Sequence, residues 1–170
     1  FVLLYEAANG KVTGVNSSGP APTGATGEYY RSQGYTTMPL TGPHSISVPG
    51  EVAAWETIHQ NFCTRPFAEL LAPAVSYARE GFPVPPGIAK SLANGVSKLS
   101  QFPSSASVLL PNGLPPVEGD VLVNSGLAWT LQLIAAGGAD AFYRSDLTRE
   151  MVKALRDAGG LFTEDDFAGH

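Results

Sequence analysis

The sequence predicts an α/β chain of the α+β kind, one N-terminal β-hairpin followed by mostly helices. Three observations carry this. Two apolar runs, Phe1–Tyr5 and Lys11–Val15, flank an Asn9-Gly10 turn signal. Apolar residues then recur at spacings of three and four in several stretches between 51 and 158. Capping side chains and stopping glycines punctuate those stretches.

The elements follow in order. The hairpin is apolar on both faces, which predicts cover on both sides. Phe1 opens in mid-strand with no turn or cap before it, so the chain is expected to be a segment of something larger. Ser17 to Thr41 is rich in Gly, Pro, Ser and Thr and reads as a long irregular loop. A short helix around Glu28–Arg31 fits within it, ended by Gly34. Pro49-Gly50 precedes a helix over 51–60, with Val52, Trp55 and Ile58-His59 on one side. Thr64 is placed to cap the next helix, with Pro66 inside its start. In that helix Phe67, Leu70, Leu71, Ala74, Val75 and Ala78 form one stripe, and Gly81 is the stop.

Pro83, Pro85 and Pro86 forbid continuation and start a weaker helix through Ile88 and Leu92. Pro103 to Gly119 reads as loop. Asn124 or Ser125 caps a helix over 125–136, stopped by Gly137-Gly138. Ser145 or Asp146 caps one over 147–158, stopped by Gly159-Gly160. Thr163-Glu164-Asp165-Asp166 is a capping-box-like start for a last helix.

Composition narrows the class. At 170 residues the chain is read as a single partial domain spanning 1–170. Hydrophobic residues make up 44% and charged ones 15%. Low charge favours a piece that hides surface against other protein. The net charge is −5 and the basic residues are scattered, so no stripe exists to neutralise phosphates, and nucleic acid is excluded as a partner. No apolar run reaches bilayer-spanning length. The visible start says little about export, so the compartment stays open.

Few residues carry chemistry on their own. Cys63 is alone and reads as structural. His44, His59 and His170 lie far apart with no ligand spacing, so neither metal nor other cofactor is expected. Asp165-Asp166 sits in a first helical turn, where carboxylates meet the positive end of the macrodipole; that explains the pair without catalysis. Asn16-Ser17-Ser18-Gly19 directly follows a strand, where α/β proteins place ligand contacts, although on the residues alone a plain turn is the better account.

Several words stand in series: Val48-Pro49-Gly50, Leu70-Leu71-Ala72-Pro73-Ala74, Ala78-Arg79-Glu80-Gly81-Phe82-Pro83-Val84, Ala139-Asp140-Ala141-Phe142-Tyr143-Arg144 and Leu161-Phe162-Thr163-Glu164-Asp165-Asp166-Phe167. In this order they resemble an internal part of the large subunit of the gamma-glutamyltranspeptidase family. The resemblance implies a segment of a four-layer α-β-β-α Ntn-hydrolase sandwich. It implies a proenzyme that cleaves itself and exposes a threonine nucleophile downstream of this segment, with that residue's own amine as base. No catalytic residue therefore maps onto this chain. The implied partners are the remaining large-subunit segments, the small catalytic chain of the same precursor and a small-molecule amide.

One substrate contact falls inside the segment. After its second strand the family carries an Asp-x-Arg-Glu word followed by Ala-Pro, and the arginine grips the glutamyl α-carboxylate. Here Ser18 stands at that position, beside Ser17, in Asn16-Ser17-Ser18-Gly19-Pro20-Ala21-Pro22. A serine cannot supply a bidentate cationic fork. The resemblance then implies an amidohydrolase or acylase branch, with Ser17 and Ser18 as substrate contacts. Two alternatives remain: a true gamma-glutamyltransferase or glutathione hydrolase whose clamp has moved, with Arg31 the candidate, and a non-catalytic scaffold.

Overall fold

A computed structural model describes residues Phe1–His170. They divide into two compact units, Phe1–Phe67 with Ala136–His170, and Ala68–Ala135.

The first unit opens on β1 (Val2–Glu6) and β2 (Lys11–Val15), paired antiparallel from Val2↔Val15 to Glu6↔Lys11. The Asn9-Gly10 signal is real, but it closes a four-residue loop and not a two-residue one. Asn9 and Gly10 both donate backbone N–H bonds to the Glu6 carbonyl, at 3.2 and 2.8 Å. Asn9 Oδ1 accepts from Lys11 N at 2.8 Å, and Gly10 takes the left-handed φ of 70° that favours glycine. Side chains alternate across the strands. Phe1, Leu3, Tyr5 and Val12 are the exposed set, 88, 80, 69 and 63% open. Cover on both faces was expected; within this chain one face of the hairpin is bare.

α1 (Gly27–Ser32) forms where the short helix was placed. Thr26 Oγ1 caps it by accepting from Tyr29 N, and Gly34 follows with φ 80°. A 3₁₀ turn at Pro43–Ser45 precedes α2 (Glu51–Phe62), which buries Val52 and Ala54. After Ala136 come α7 (Asp140–Tyr143), α8 (Asp146–Asp157) and α9 (Glu164–Ala168), the helices numbered between being described with the other unit. Ser145 caps α8 with a full box: its hydroxyl accepts from Leu147 N at 3.1 Å, and its N–H donates to Thr148 Oγ1 at 2.9 Å. The buried Thr148 hydroxyl donates in turn to the Phe142 carbonyl at 2.9 Å. Val48, Val52, Phe142, Leu147, Phe162 and Phe167 form the core. Phe162 and Phe142 lie 6.1 and 6.5 Å from Phe167, centroid to centroid.

α9 shows the Thr163–Asp166 box the sequence announces, with one addition. The Asp166 carboxylate accepts from Thr163 N and Oγ1, both at 2.8 Å, and also from Thr23 N at 2.8 Å. It ties the loop before α1 to a helix 143 residues away. Burial pushes its carboxyl up, but the bonds from Thr23 and Thr163 outweigh that and hold it below the ordinary carboxylate range.

The second unit holds nearly all of α3 (Phe67–Glu80), then β3 (Phe82–Pro83), α4 (Pro86–Leu99), α5 (Pro103–Leu109), β4 (Val121–Leu122) and most of α6 (Ser125–Gly137). α3 begins one residue beyond Pro66, and its stripe is narrower than the spacing predicts. Val75 and Ala78 are buried, whereas Leu70 is exposed and Leu71 half-buried. Gly81 ends the helix at φ 87°, where a Cβ would also strike Val121. Asn124 caps α6, its Oδ1 accepting from Leu127 N at 3.0 Å. Pro103–Gly119 is not all loop. Pro103 takes the first helical position of α5, where its missing N–H costs nothing, and Leu110 is buried just past the end.

Phe167→Ala removes a fully buried ring and is expected to cost about 3–5 kcal/mol in denaturant unfolding. The depressed Asp166 makes a second prediction. Its stabilisation is complete above the unfolded carboxylate pKa and is lost as pH falls through the lower folded value. Asp166→Asn should therefore flatten the fall in stability as pH drops through and below the ordinary carboxylate range, followed by thermal melts at a series of acid pH values.

Candidate functional site

β2 delivers the chain into Asn16–Pro20. Asn16 Oδ1 accepts from Ser18 N at 2.9 Å, an Asx turn that sets the loop's first bend. Ser17 is half-buried and Ser18 exposed. Gly19 then lies directly on the backbone of Val48, and a Cβ at Gly19 would overlap the Val48 carbonyl. Val48 N donates to the Pro20 carbonyl at 2.9 Å. Two residues on, Gly50 repeats the arrangement: a Cβ there would overlap the Ser17 carbonyl and come within 2.6 Å of His170 Nε2. The loop and the 48–50 segment are thus pressed together, backbone on backbone, at two glycines.

Tyr143 fixes the other side of that segment. Its hydroxyl donates to the Pro49 carbonyl at 2.6 Å and accepts from Ala53 N at 3.2 Å. Ala53 lies in the first turn of α2, whose N-cap residue Gly50 has no side chain to bond with, so a tyrosine from α7 serves as the cap. Burial pushes the Tyr143 phenol up and Glu51 adds to that, against the lowering effect of the Ala53 bond. The ring of His170 lies 5.5 Å from the Tyr143 ring. Glu56, a turn further along α2, accepts from Ala139 N at 3.0 Å.

Ser17 and Ser18 sit in this pinned loop. Arg31 lies elsewhere, exposed in the last turn of α1, with its guanidinium folded back over Gly27. No hydrogen bond joins it to Ser17 or Ser18. The loop itself offers hydroxyls and backbone groups but no cation, so it suits neutral polar atoms better than a carboxylate.

Sequence reasoning missed Gly19, Gly50 and Tyr143 as the groups that hold the loop. Gly50 and Tyr143 lie in words that stand out in the sequence, but their meeting is long-range. His59 is a packing residue: its Nε2 donates to the Arg65 carbonyl at 2.9 Å and its ring lies 5.0 Å from Phe67. Cys63 is exposed at the end of α2, and no cluster of three or more His, Cys, Asp or Glu forms.

Tyr143→Phe leaves the Pro49 carbonyl and Ala53 N–H without their partner and should cost about 1–3 kcal/mol. Gly19→Ala should cost more than Tyr143→Phe, because it drives a methyl into backbone that cannot rotate away. Chemical unfolding of the two variants beside the parent tests the ranking.

The family model described as gamma-glutamyltranspeptidase matches residues 1–170. A glutathione hydrolase proenzyme of Bacillus subtilis (strain 168) is 30% identical over 174 residues, covering 100% of this chain and 30% of that protein. The acylase ACY 1 proenzyme of Pseudomonas sp. (strain SE83) is 32% identical over 172 residues, covering 96% of this chain and 31% of that protein. Among solved structures, cephalosporin acylase from Bacillus halodurans superposes with a TM-score of 0.92 at 31% identity, over 99% of this chain and 32% of that one. Helicobacter pylori gamma-glutamyltranspeptidase gives a TM-score of 0.91 at 27% identity, over 98% of this chain and 49% of that one. The chain therefore spans 30–31% of the length of these curated relatives. Its mostly helical fold with an N-terminal hairpin matches the Ntn-hydrolase fold of the family in those structures. The chain belongs to the gamma-glutamyltranspeptidase family.

Proposed function

We propose that this chain is a large-subunit segment of a self-processing hydrolase whose N-terminal threonine cleaves an amide through an acyl-enzyme. The substrate in this reading is a small amide or acyl-amide without a glutamyl α-carboxylate. The observation that carries it is Ser18, in the loop after β2, where the resemblance places an arginine. Losing one partner of a charge pair that binding desolvates costs about 2–5 kcal/mol, so without the arginine most of the reason to prefer a glutamyl group is gone. Acylases and glutathione hydrolases match the chain with similar identity, so the choice rests on position 18.

The nucleophile and oxyanion donors belong to sequence outside this chain, and the residues here position the substrate. Ser17 and Ser18 provide polar contacts from a loop held rigid by Gly19 and Gly50. The bare hairpin face of Phe1, Leu3, Tyr5 and Val12 is the natural seat for other parts of the same precursor.

The full-length protein should show higher kcat/KM for simple amides than for glutathione. Ser18→Arg should raise kcat/KM for glutathione at least tenfold, because a fixed carboxylate aligns the scissile carbonyl. Efficient glutathione turnover by the parent would overturn the reading. If Arg31→Ala then abolished that turnover, Arg31 would be the relocated clamp of a true glutathione hydrolase.

A further inference from the structure

A cavity follows the Ser17–Ser18 loop along the chain. It begins at Ala21 and Pro22, and its volume is about 230 Å³. Three residues of extended chain span at most about 11 Å, so Ala21 lies within that distance of Ser18. A cavity of about 150 Å³ holds one benzene ring. This one therefore has room for a phenyl-sized group and a few atoms more.

Its lining is selective. Met38 and Leu161 supply apolar wall, and the small residues Ala25 and Gly27 leave the space open. Tyr30 and His44 also line it. Tyr30 is buried, and its hydroxyl lies 3.3 Å from His44 Nδ1; the imidazole tautomer decides which of the two donates. Tyr29 and Tyr35 pack edge-on against Tyr30 at 5.3 and 5.6 Å, which makes this wall stiff. Burial pushes the Tyr30 phenol up, with Tyr29 and Tyr35 adding to it, so it stays a neutral polar group.

Arg31 does not line the cavity itself but lies against one residue that does. A Cβ at Gly27 would lie 3.1 Å from Arg31 Nη1, so the guanidinium borders a lining residue. No carboxylate of the chain pairs with Arg31; the ion pairs use Arg144, Arg149 and Lys153, and Arg65 and Glu69 have contacts of their own. An apolar cavity with an unpaired guanidinium one residue behind its Gly27 wall fits a ligand with an apolar body and a carboxylate long enough to reach past that wall.

We infer that this cavity is a subsite for a carboxylate bearing a phenyl-sized or branched aliphatic group, as in the amine half of an N-acyl amino acid. The side chain fills the space between Tyr30, Met38 and Leu161, and the carboxylate reaches Arg31 beside Gly27. The amide bond then points back along Ala21 toward Ser18. That this ligand is a substrate rests on the amide-hydrolase reading above; that it binds does not.

The test uses the full-length protein and three probes: N-acetylphenylalanine, its neutral amide and N-acetylglycine. Affinities come from calorimetry, and the Tyr30 and His44 ring resonances report the location. N-acetylphenylalanine should bind at least tenfold more tightly than N-acetylglycine and at least fivefold more tightly than the neutral amide. Arg31→Gln, an exposed substitution that leaves the fold intact, should erase the second preference. Ala25→Leu should erase the first. Equal affinities for the three probes, or no effect of Arg31→Gln, would overturn the subsite. Binding with these preferences but without cleavage would uphold the subsite and count against the hydrolase reading. Cleavage with no preference for the aromatic arm would do the reverse.

Discussion

The hydroxyl of Tyr143 holds the first unit at its most constrained point. It donates to the Pro49 carbonyl and accepts from Ala53 N, so one atom closes the last turn before α2 and caps the helix itself. Pro49 cannot donate, and Gly50 has no side chain to offer. The helix start depends on a partner from 94 residues away. Once Pro49 and Ala53 are fixed, Val48 and Gly50 are fixed with them. Gly19 and Ser17 then have only one place to lie, because their contacts with Val48 and Gly50 are backbone on backbone. A side chain could yield by changing rotamer, but a carbonyl in a short pinned segment cannot.

A second tether acts further along the same loop. Asp166 binds Thr23 as well as its own capping partner Thr163, so the segment that leaves Gly19 is held again four residues later. Between these anchors the chain passes Ala21 and Pro22, which form one wall of the cavity under α1. The loop's position is therefore set from both ends by groups outside the loop's own Ser17–Ser18 step. Such a division suits a site: the polar residues that face a ligand can be few and exposed, because others carry the cost of holding them still.

Much of this fold is legible in the sequence where the signal is local. Thr163 with Asp166, Ser145 with Thr148, and Asn124 before α6 are caps that act within three residues, and each forms. Gly34 and Gly81 end their helices for the conformational reason that singles them out. The failures are also physical. Pro103-Ser104-Ser105 looks like loop because Pro and Ser favour turns, yet Pro at a first helical position and Leu109-Leu110 behind it were enough to make α5. α7 spans four residues, too few for any periodicity. The close approaches of Gly19 and Gly50 left no local trace, since a glycine that punctuates a loop and one that admits a carbonyl look alike in sequence. The candidate site was readable as a loop after a strand, but not as a loop clamped on α2's entry.

That clamping leaves one position of the loop free to vary. Residue 18 is exposed, and its backbone is set by Asn16 on one side and by Gly19 against Val48 on the other. Nothing in that geometry depends on the side chain at 18. A serine or an arginine there would leave the same backbone path, provided Asn16 and Gly19 are kept. A change of side chain at 18 should then cost little stability, because the loop is held by its glycine contacts and its tethers. Glutathione hydrolases and acylases both match this chain at close to 30% identity over nearly its whole length. The proposed choice between those two substrate classes would then turn on one exposed side chain within a frame that need not change.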